Sequence, residues 1–152
     1  MYVIRKINDS DIDTVANYEV EISKISFADK AIIDCDFYRK KISMAKEKSG
    51  MMVISDDDTN EVLGWLWMEK KRNSLTGEVY INFKSFYIQE KIRGRKIVDE
   101  LLDAGIAYAK QCKASYIVGK VHSKNIAMRY LYKNHNFSPT HITMEMDLTE
   151  DE

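Results

Sequence analysis

Two periods of apolar spacing alternate along this chain. Short runs rich in β-branched and aromatic residues, at Met1 to Ile7, Met51 to Ser55, Glu61 to Lys70, Glu78 to Ile88 and Ala114 to Val121, predict strands. Helical spacing fills the gaps between them. Asp9 or Ser10 can cap a helix running to about Lys24, and Asp34 or Asp36 can cap a second through Lys48. From about Arg95 to Cys112, Ile97, Val98, Leu101, Leu102, Gly105, Ile106 and Ala109 form a broad apolar face suited to lying on a sheet. A shorter helix is predicted from Asn125, and Ile142, Met144, Met146 and Leu148 alternate as in a final strand, beyond Pro139. Polar turns at 56–60 and 71–77 separate the middle strands. Trp65 and Trp67 fall on one strand face and Leu66 and Met68 on the other, as expected of a central strand covered on both sides.

The order of elements has no repeat and no linker, so a single α/β domain spanning 1–152 is expected. Composition agrees: 45% hydrophobic and 31% charged is ordinary for a globular chain. No apolar stretch approaches the length of a membrane-spanning helix, and the first residues lack the apolar region of a signal peptide, so the cytoplasm is the expected location. Cys35 and Cys112 stand far apart and outside any Cys-x-x-Cys pattern, and His122, His135 and His141 lack metal-ligand spacing. Neither a disulfide framework nor a metal site is expected. A formal net charge of −1 supplies no basic footprint for nucleic acid.

One junction carries chemistry. Phe86, Tyr87 and Ile88 end an apolar run that passes through Gln89-Glu90-Lys91-Ile92-Arg93-Gly94-Arg95-Lys96 into the helical pattern at Ile97 and Val98. A strand entering a helix through a glycine turn exposes unpaired N–H groups and the positive end of the helix dipole. With Lys91, Arg93, Arg95 and Lys96 beside them, these groups make an anion cradle suited to one phosphorylated small molecule.

Downstream residues make the pattern more specific. The run Ala114 to Val121 precedes Asn125-Ile126-Ala127-Met128-Arg129-Tyr130-Leu131-Tyr132-Lys133-Asn134-His135-Asn136-Phe137. From about Glu78 to Phe137 this order resembles the GNAT N-acetyltransferase superfamily. There, an Arg-Gly-x-Gly-x-Gly/Ala turn and a later Asn-x-x-Ala-x-x-Leu-Tyr-x-x-x-Gly-Phe helix recur. Arg93, Gly94, Asn125, Leu131, Tyr132 and Phe137 match, whereas Lys96, Val98, Met128 and Asn136 replace small residues of the pattern.

The resemblance implies a mixed, twisted central sheet splayed between two central strands, with helices on both faces. It also implies acetyl-CoA as co-substrate, no metal, and an amine acceptor, either a small molecule or a protein N-terminus or lysine. Under it, Arg93, Gly94, Arg95, Lys96, Ile97, Val98 and Asn125 belong to the cofactor site, with the acetyl group near Phe86, Tyr87 and Ile88. An N–H near Tyr87 or Ile88 would meet the developing oxyanion. Tyr132 would return a proton to the leaving thiolate, since a phenol near pKa 10 stays protonated beside a thiol of about 8 to 9. Tyr130 is its neighbour in a shifted register. For the base, Asn82 and Lys84 are chemically unsuited, which leaves a water chain to Glu78 or no dedicated base. Asp29, Asp34 and Asp36 fall where the superfamily shapes its acceptor pocket, and the short segment after Phe137 implies an open acceptor groove. The rival expectation is a catalytically weak CoA-binding regulatory or interaction domain; a homodimer is left open.

Overall fold

A computed structural model of the chain describes residues 1–149. They fall into two compact units, residues 1–120 and residues from 121 onward.

The first unit is built on a five-stranded sheet in the order β1 (Tyr2–Lys6), β2 (Met51–Asp56), β3 (Val62–Arg72), β4 (Val79–Ile88) and β5 (Ile117–Gly119). The first three pairings are antiparallel and β4 with β5 is parallel. Helices α1 (Ile12–Phe27) and α2 (Cys35–Ser43) precede β2, and α3 (Lys96–Gln111) connects β4 to β5. The sheet is thus mixed.

Alternation along β3 decides which helix covers which face. Trp65 and Trp67 join Met51 and Val53 of β2 in a cluster closed by Val15, Ala16 and Val20 of α1 and by Tyr38 and Ile42 of α2. Leu66 and Met68 face α3. A Cβ on Gly105 would stand 2.6 Å from Met68 Cε and 3.0 Å from Leu66 Cδ1, so the bare glycine lets α3 lie close to the sheet. Trp65, Leu66, Met68, Leu101 and Leu102 are all fully buried, which fits a central strand covered on both sides.

Local chemistry moves several helix boundaries from their predicted positions. Neither Asp9 nor Ser10 caps the first helix. Asn8 opens a short 3-10 turn at Asp9–Asp11, with its N–H donated to Asp11 Oδ2 at 2.7 Å, and α1 continues from there. Asp11 also accepts from both terminal guanidinium nitrogens of Arg5, at 2.7 and 3.0 Å, tying the start of α1 to β1. Asp34, rather than Asp36, caps α2. That helix ends at Ser43 instead of Lys48, and the Lys48 ammonium turns back to donate to the carbonyls of Ser43 and Ala45. Strand β5 is shorter than expected, although Ser115 N–H to Val79 and Ile81 N–H to the Tyr116 carbonyl extend its bonding by a step.

The second unit contains α4 (Ile126–Asn134), capped by Asn125, whose side chain accepts from Met128 N–H at 3.2 Å. Asn136 follows at φ 65°, the left-handed position expected after a helix end. The final strand is absent among the described residues. Ile142, Met144, Met146 and Leu148 are 82–85% exposed and no strand ladder includes them. Alternation records suitability for a half-buried pleated surface, but a strand exists only through hydrogen bonds to a partner.

Candidate active site

Among the described residues, the C-terminal end of β4 is paired on one side only. Its ladder with β3 runs from Val79 opposite Arg72 to Ile88 opposite Gly64, while its parallel ladder with β5 stops at Phe83 opposite Gly119. Lys84 through Ile88 therefore border an open edge, where backbone groups can accept an extended ligand as an added strand. A bulge marks the start of this stretch. Trp67 pairs with Ser85 and Met68 with Phe83, which leaves Lys84 as the extra residue. Bulges bend a strand and re-aim its side chains, and they are common beside active sites.

Beyond Ile88 the chain makes a 3-10 turn at Glu90–Ile92, anchored by the fully buried Ile92. Arg93 folds back over the strand end. Its Nε donates to the Ile88 carbonyl at 2.9 Å and its guanidinium stands 5.8 Å from the Tyr87 ring, which stacks at 4.6 Å on Tyr18 of α1. Phe86 meets Phe83 edge-on at 5.7 Å. Gly94 takes φ +80°, the left-handed region that disfavours side chains. Arg95 is the N-cap of α3 with no side-chain cap, and its guanidinium stands 5.8 Å from the Tyr2 ring.

Helix α3 consequently begins with donors to spare. Among the described residues no acceptor meets the N–H groups of Gly94, Lys96 or Ile97, whereas Val98 N–H is spent on the Arg95 carbonyl. The exposed Arg95 and Lys96 add positive charge there, and Asp99 in the same first turn offsets part of it. Lys91 does not join the cradle as expected. Its ammonium is held by both Glu61 oxygens, at 2.7 and 3.1 Å, because the β2–β3 turn brings that carboxylate alongside.

Tyr132 lies on α4, half-buried, with its ring edge-on to Phe137 at 4.9 Å. Burial pushes its phenol up to about 12, so the hydroxyl keeps its proton throughout the neutral range. Tyr130 is largely exposed. The Asn125 side-chain oxygen is engaged in capping, which leaves its amide nitrogen as the group a ligand could use.

The expected acid–base partners fare less well. Glu78 precedes β4 at its far end; at about 3.3 Å per residue it lies roughly 25–30 Å along the strand from Tyr87, too far for a short water chain. Asn82 and Lys84 both bind Glu69, at 3.3 and 3.4 Å. Burial alone would raise the Glu69 pKa, but Asn82, Lys84 and Lys71 together hold it below the usual range. The acidic group near α2 is largely occupied as well, since Asp34 caps the helix and Asp36 pairs with Arg39, which also binds Asp13 at 2.7 Å.

Glu19 belongs to no motif in the sequence, yet it stands at the site. This α1 residue is 5% exposed and its Oε1 accepts from Ser85 Oγ at 3.0 Å, at the β4 bulge. Burial raises its pKa, against weaker downward pulls from Ser85, Trp65, Lys41 and Lys84. The Trp65 indole N–H reaches no partner at hydrogen-bond length, so its pull on Glu19 acts across a longer gap. One signal in the sequence points to it: Glu19 falls on the same helical stripe as Val15, Ala16 and Val20, where a carboxylate is out of place.

A mixed sheet opened beside β4, followed by a left-handed glycine and a helix with uncapped donors, defines an α/β domain with a candidate anion site at the start of α3. The Acetyltransferase (GNAT) family profile matches residues 15–137, and the chain belongs to that family. Comparison with curated proteins finds no match. Solved structures share the fold at low identity. Ribosomal-protein-alanine N-acetyltransferase from Brucella melitensis biovar Abortus 2308 is 15% identical with a TM-score of 0.73, covering 97% of this chain and 100% of its own. Aminoglycoside N-acetyltransferase AAC(6')-Iy, solved with CoA, is 11% identical at TM-score 0.74, covering 97% and 94%. A transcriptional regulator from Bacillus halodurans C-125 is 17% identical at TM-score 0.71, covering 97% and 100%.

Proposed function

We propose that the protein transfers acetyl from acetyl-CoA to a primary amine by direct attack on the thioester. The observation that carries this reading is the open edge of β4 from Lys84 to Ile88, which leads straight into the uncapped start of α3. The pantetheine arm pairs with that edge. The pyrophosphate meets the N–H groups of Gly94, Lys96 and Ile97 and the charges of Arg95 and Lys96, while Arg93 holds the turn against Ile88. By the family pattern Asn125 belongs to the cofactor site, where its amide nitrogen is the free group, and Val98 contributes its side chain alone.

The amine nitrogen forms the new bond to the acetyl carbon, a backbone N–H of Tyr87 or Ile88 takes the charge on the carbonyl oxygen, and the carbon–sulfur pair leaves with the thiolate. By the family pattern, the proton on sulfur comes from Tyr132. Neighbours named for ribosomal-protein-alanine and aminoglycoside acetylation are consistent with an amine acceptor in general.

Lys96 and Val98, in place of small residues, favour the second reading, a CoA-binding regulatory domain, and the regulator among the neighbours is in keeping with it. Calorimetry with acetyl-CoA, alongside CoA release with polyamines, aminoglycosides and alanine-terminated peptides, separates the two. Binding with turnover of at least one amine is expected. Binding without turnover across the panel selects the regulatory domain, and absence of binding refutes both.

A further inference from the structure

We propose that Ser85 and Glu19 form the proton relay that deprotonates the incoming amine, with Ser85 Oγ meeting the amine and Glu19 acting through it. This rests on the acetyl-transfer reading above, and it supplies the base that β4 itself lacks.

Three observations converge at the β4 bulge. The bulge places Ser85 beside Lys84 at the start of the open edge, next to Phe86–Ile88, where the acetyl group is proposed to lie. Glu19 is nineteen-twentieths buried, with no cation at ion-pair distance among the described residues, and its hydrogen bond goes to Ser85 Oγ. The Trp65 indole N–H beside it is buried and without a hydrogen-bond partner. A carboxyl there costs stability that a glutamine or an apolar residue of similar volume would not, so packing gives no reason for its acidity.

The charged and titratable groups around Glu19 leave it able to cycle. Lys41 of α2 and Lys84 of β4 act on it only through space, and Lys84 is already paired with Glu69 of β3 and stacked 4.3 Å over the Trp67 ring. The Tyr38 hydroxyl of α2 is taken by Ser23 and the Ile32 carbonyl. Burial raises the Glu19 pKa toward neutrality, the direction a base working on an ammonium group requires.

The proton balance is simple. Ser85 passes its hydroxyl proton to the Glu19 carboxylate and takes one from the substrate ammonium, which leaves a neutral amine with a free lone pair. That pair forms the bond to the acetyl carbon, and the carbonyl π pair moves onto oxygen to give a tetrahedral adduct. As the adduct collapses the oxygen pair re-forms the carbonyl and the carbon–sulfur pair leaves with the thiolate, the second nitrogen proton makes good the one that the thiolate takes, and Glu19 returns its proton to solvent.

The test compares the parent protein with Glu19→Gln and Ser85→Ala, at saturating acetyl-CoA, with an amine the parent acetylates. The parent should show an acidic limb in kcat/KM. Glu19→Gln should replace that limb with one set by the titration of the amine itself, at higher pH, and lower the rate at neutral pH by roughly 10²–10⁴-fold, the range for general base catalysis. The loss should shrink at high pH as free amine accumulates, while calorimetry shows unchanged acetyl-CoA affinity. Carbon-13 labelling of glutamate carboxyls gives an activity-independent check: one resonance should titrate above the others and vanish in Glu19→Gln. An unchanged limb and rate in Glu19→Gln overturns the relay while acetyl transfer stands. A parent that acetylates no amine overturns both. If Glu19→Gln fails to fold, Ser85→Ala decides, because it breaks the relay and leaves the buried carboxyl; full activity in it refutes the proposal.

Discussion

Replacing Gly94 separates two ways in which a glycine can matter to the phosphate turn. A Cβ built on it meets nothing within 4 Å, so no neighbouring side chain is crowded. The whole cost is local, from φ +80°. An L-residue in that region pays about 1–2 kcal/mol, a β-branched one more, and asparagine least. Reduced freedom of the unfolded chain returns about 0.4–1 kcal/mol, so Gly94→Ala should lose about 1 kcal/mol, or roughly 2–4 °C of Tm for a chain of this length. Gly94→Val should lose about 2 kcal/mol or relax its turn. Relaxation would swing the Gly94 and Lys96 N–H groups off the pyrophosphate; at about 1.5–3 kcal/mol per charged hydrogen bond, losing one lowers acetyl-CoA affinity by roughly 10- to 100-fold. Gly94→Asn should stay within about threefold of the parent, because asparagine holds the same conformation. Thermal unfolding and calorimetry on the three variants read both quantities. Parent-like binding and an unchanged Tm in Gly94→Val would refute a role for backbone strain. Equal damage in Gly94→Asn and Gly94→Val would refute it too, and would mean that any side chain there collides with the ligand.

Tyr132→Phe keeps the ring and its contact with Phe137, so acetyl-CoA affinity should hold; with the phenol near 12, full transfer to a thiolate is uphill, and the expected fall in maximal rate is toward the lower end of the 10²–10⁴ range, about 10². Equal rates for Tyr132→Phe and the parent, with chemistry rate-limiting, would remove Tyr132 from the mechanism. Asp11→Ala should cost about 2 kcal/mol in urea unfolding, less than a fully buried pair because Arg5 reaches solvent. Burial would raise the Asp11 pKa, but Arg5 and the Asn8 N–H lower it, so its stabilisation is present above the unfolded carboxylate value and is lost as pH falls through the folded value. Glu19→Gln should show the opposite dependence in the same assay. The parent's raised carboxyl loses stability as pH rises from the unfolded value through the folded one, so the variant gains on the parent over that window. Gly50→Ala should cost about 3 kcal/mol, since its Cβ would stand 1.9 Å from the Met68 carbonyl oxygen, which is backbone and cannot turn aside; a Tm within about 2 °C of the parent would contradict the packing described.

Local chemistry makes much of this protein legible from its sequence. The two-sided burial of β3 is written in Trp65, Leu66, Trp67 and Met68, and the glycine turn is visible because a strand pattern changes to a helix pattern around Gly94. Long-range pairing is not legible in this way. Nothing near Lys91 announces that Glu61, 30 residues away, will claim it. The alternation from Ile142 to Leu148 predicts a strand that does not form, because pattern reports preference and cannot supply a partner. Glu19 escapes a sequence reading for a related reason: its importance comes from Ser85, distant in sequence, and from a bulge that no local motif encodes.

The turn's departures from the family pattern look different once its backbone is known. Gly94 is the only glycine of that pattern retained here, and it is the one at positive φ. Lys96 and Val98 stand where the pattern has glycine or a small residue, yet both lie in the first turn of α3 with ordinary helical backbone, so the chain conformation does not require glycine at either. What glycine would supply there is clearance for the ligand. At Val98 the amide is already spent on Arg95, so clearance at that residue gains no donor. At Lys96 the amide is unspent and the side chain is exposed, so the ammonium can turn out to meet phosphate while the N–H stays reachable. Lys96→Gly then exchanges a charge for space, and the salt dependence of acetyl-CoA binding reports which matters. If the ammonium contributes, the variant binds more weakly at low salt and converges on the parent as salt rises. Tighter binding at every ionic strength would instead show that Lys96 obstructs the cradle.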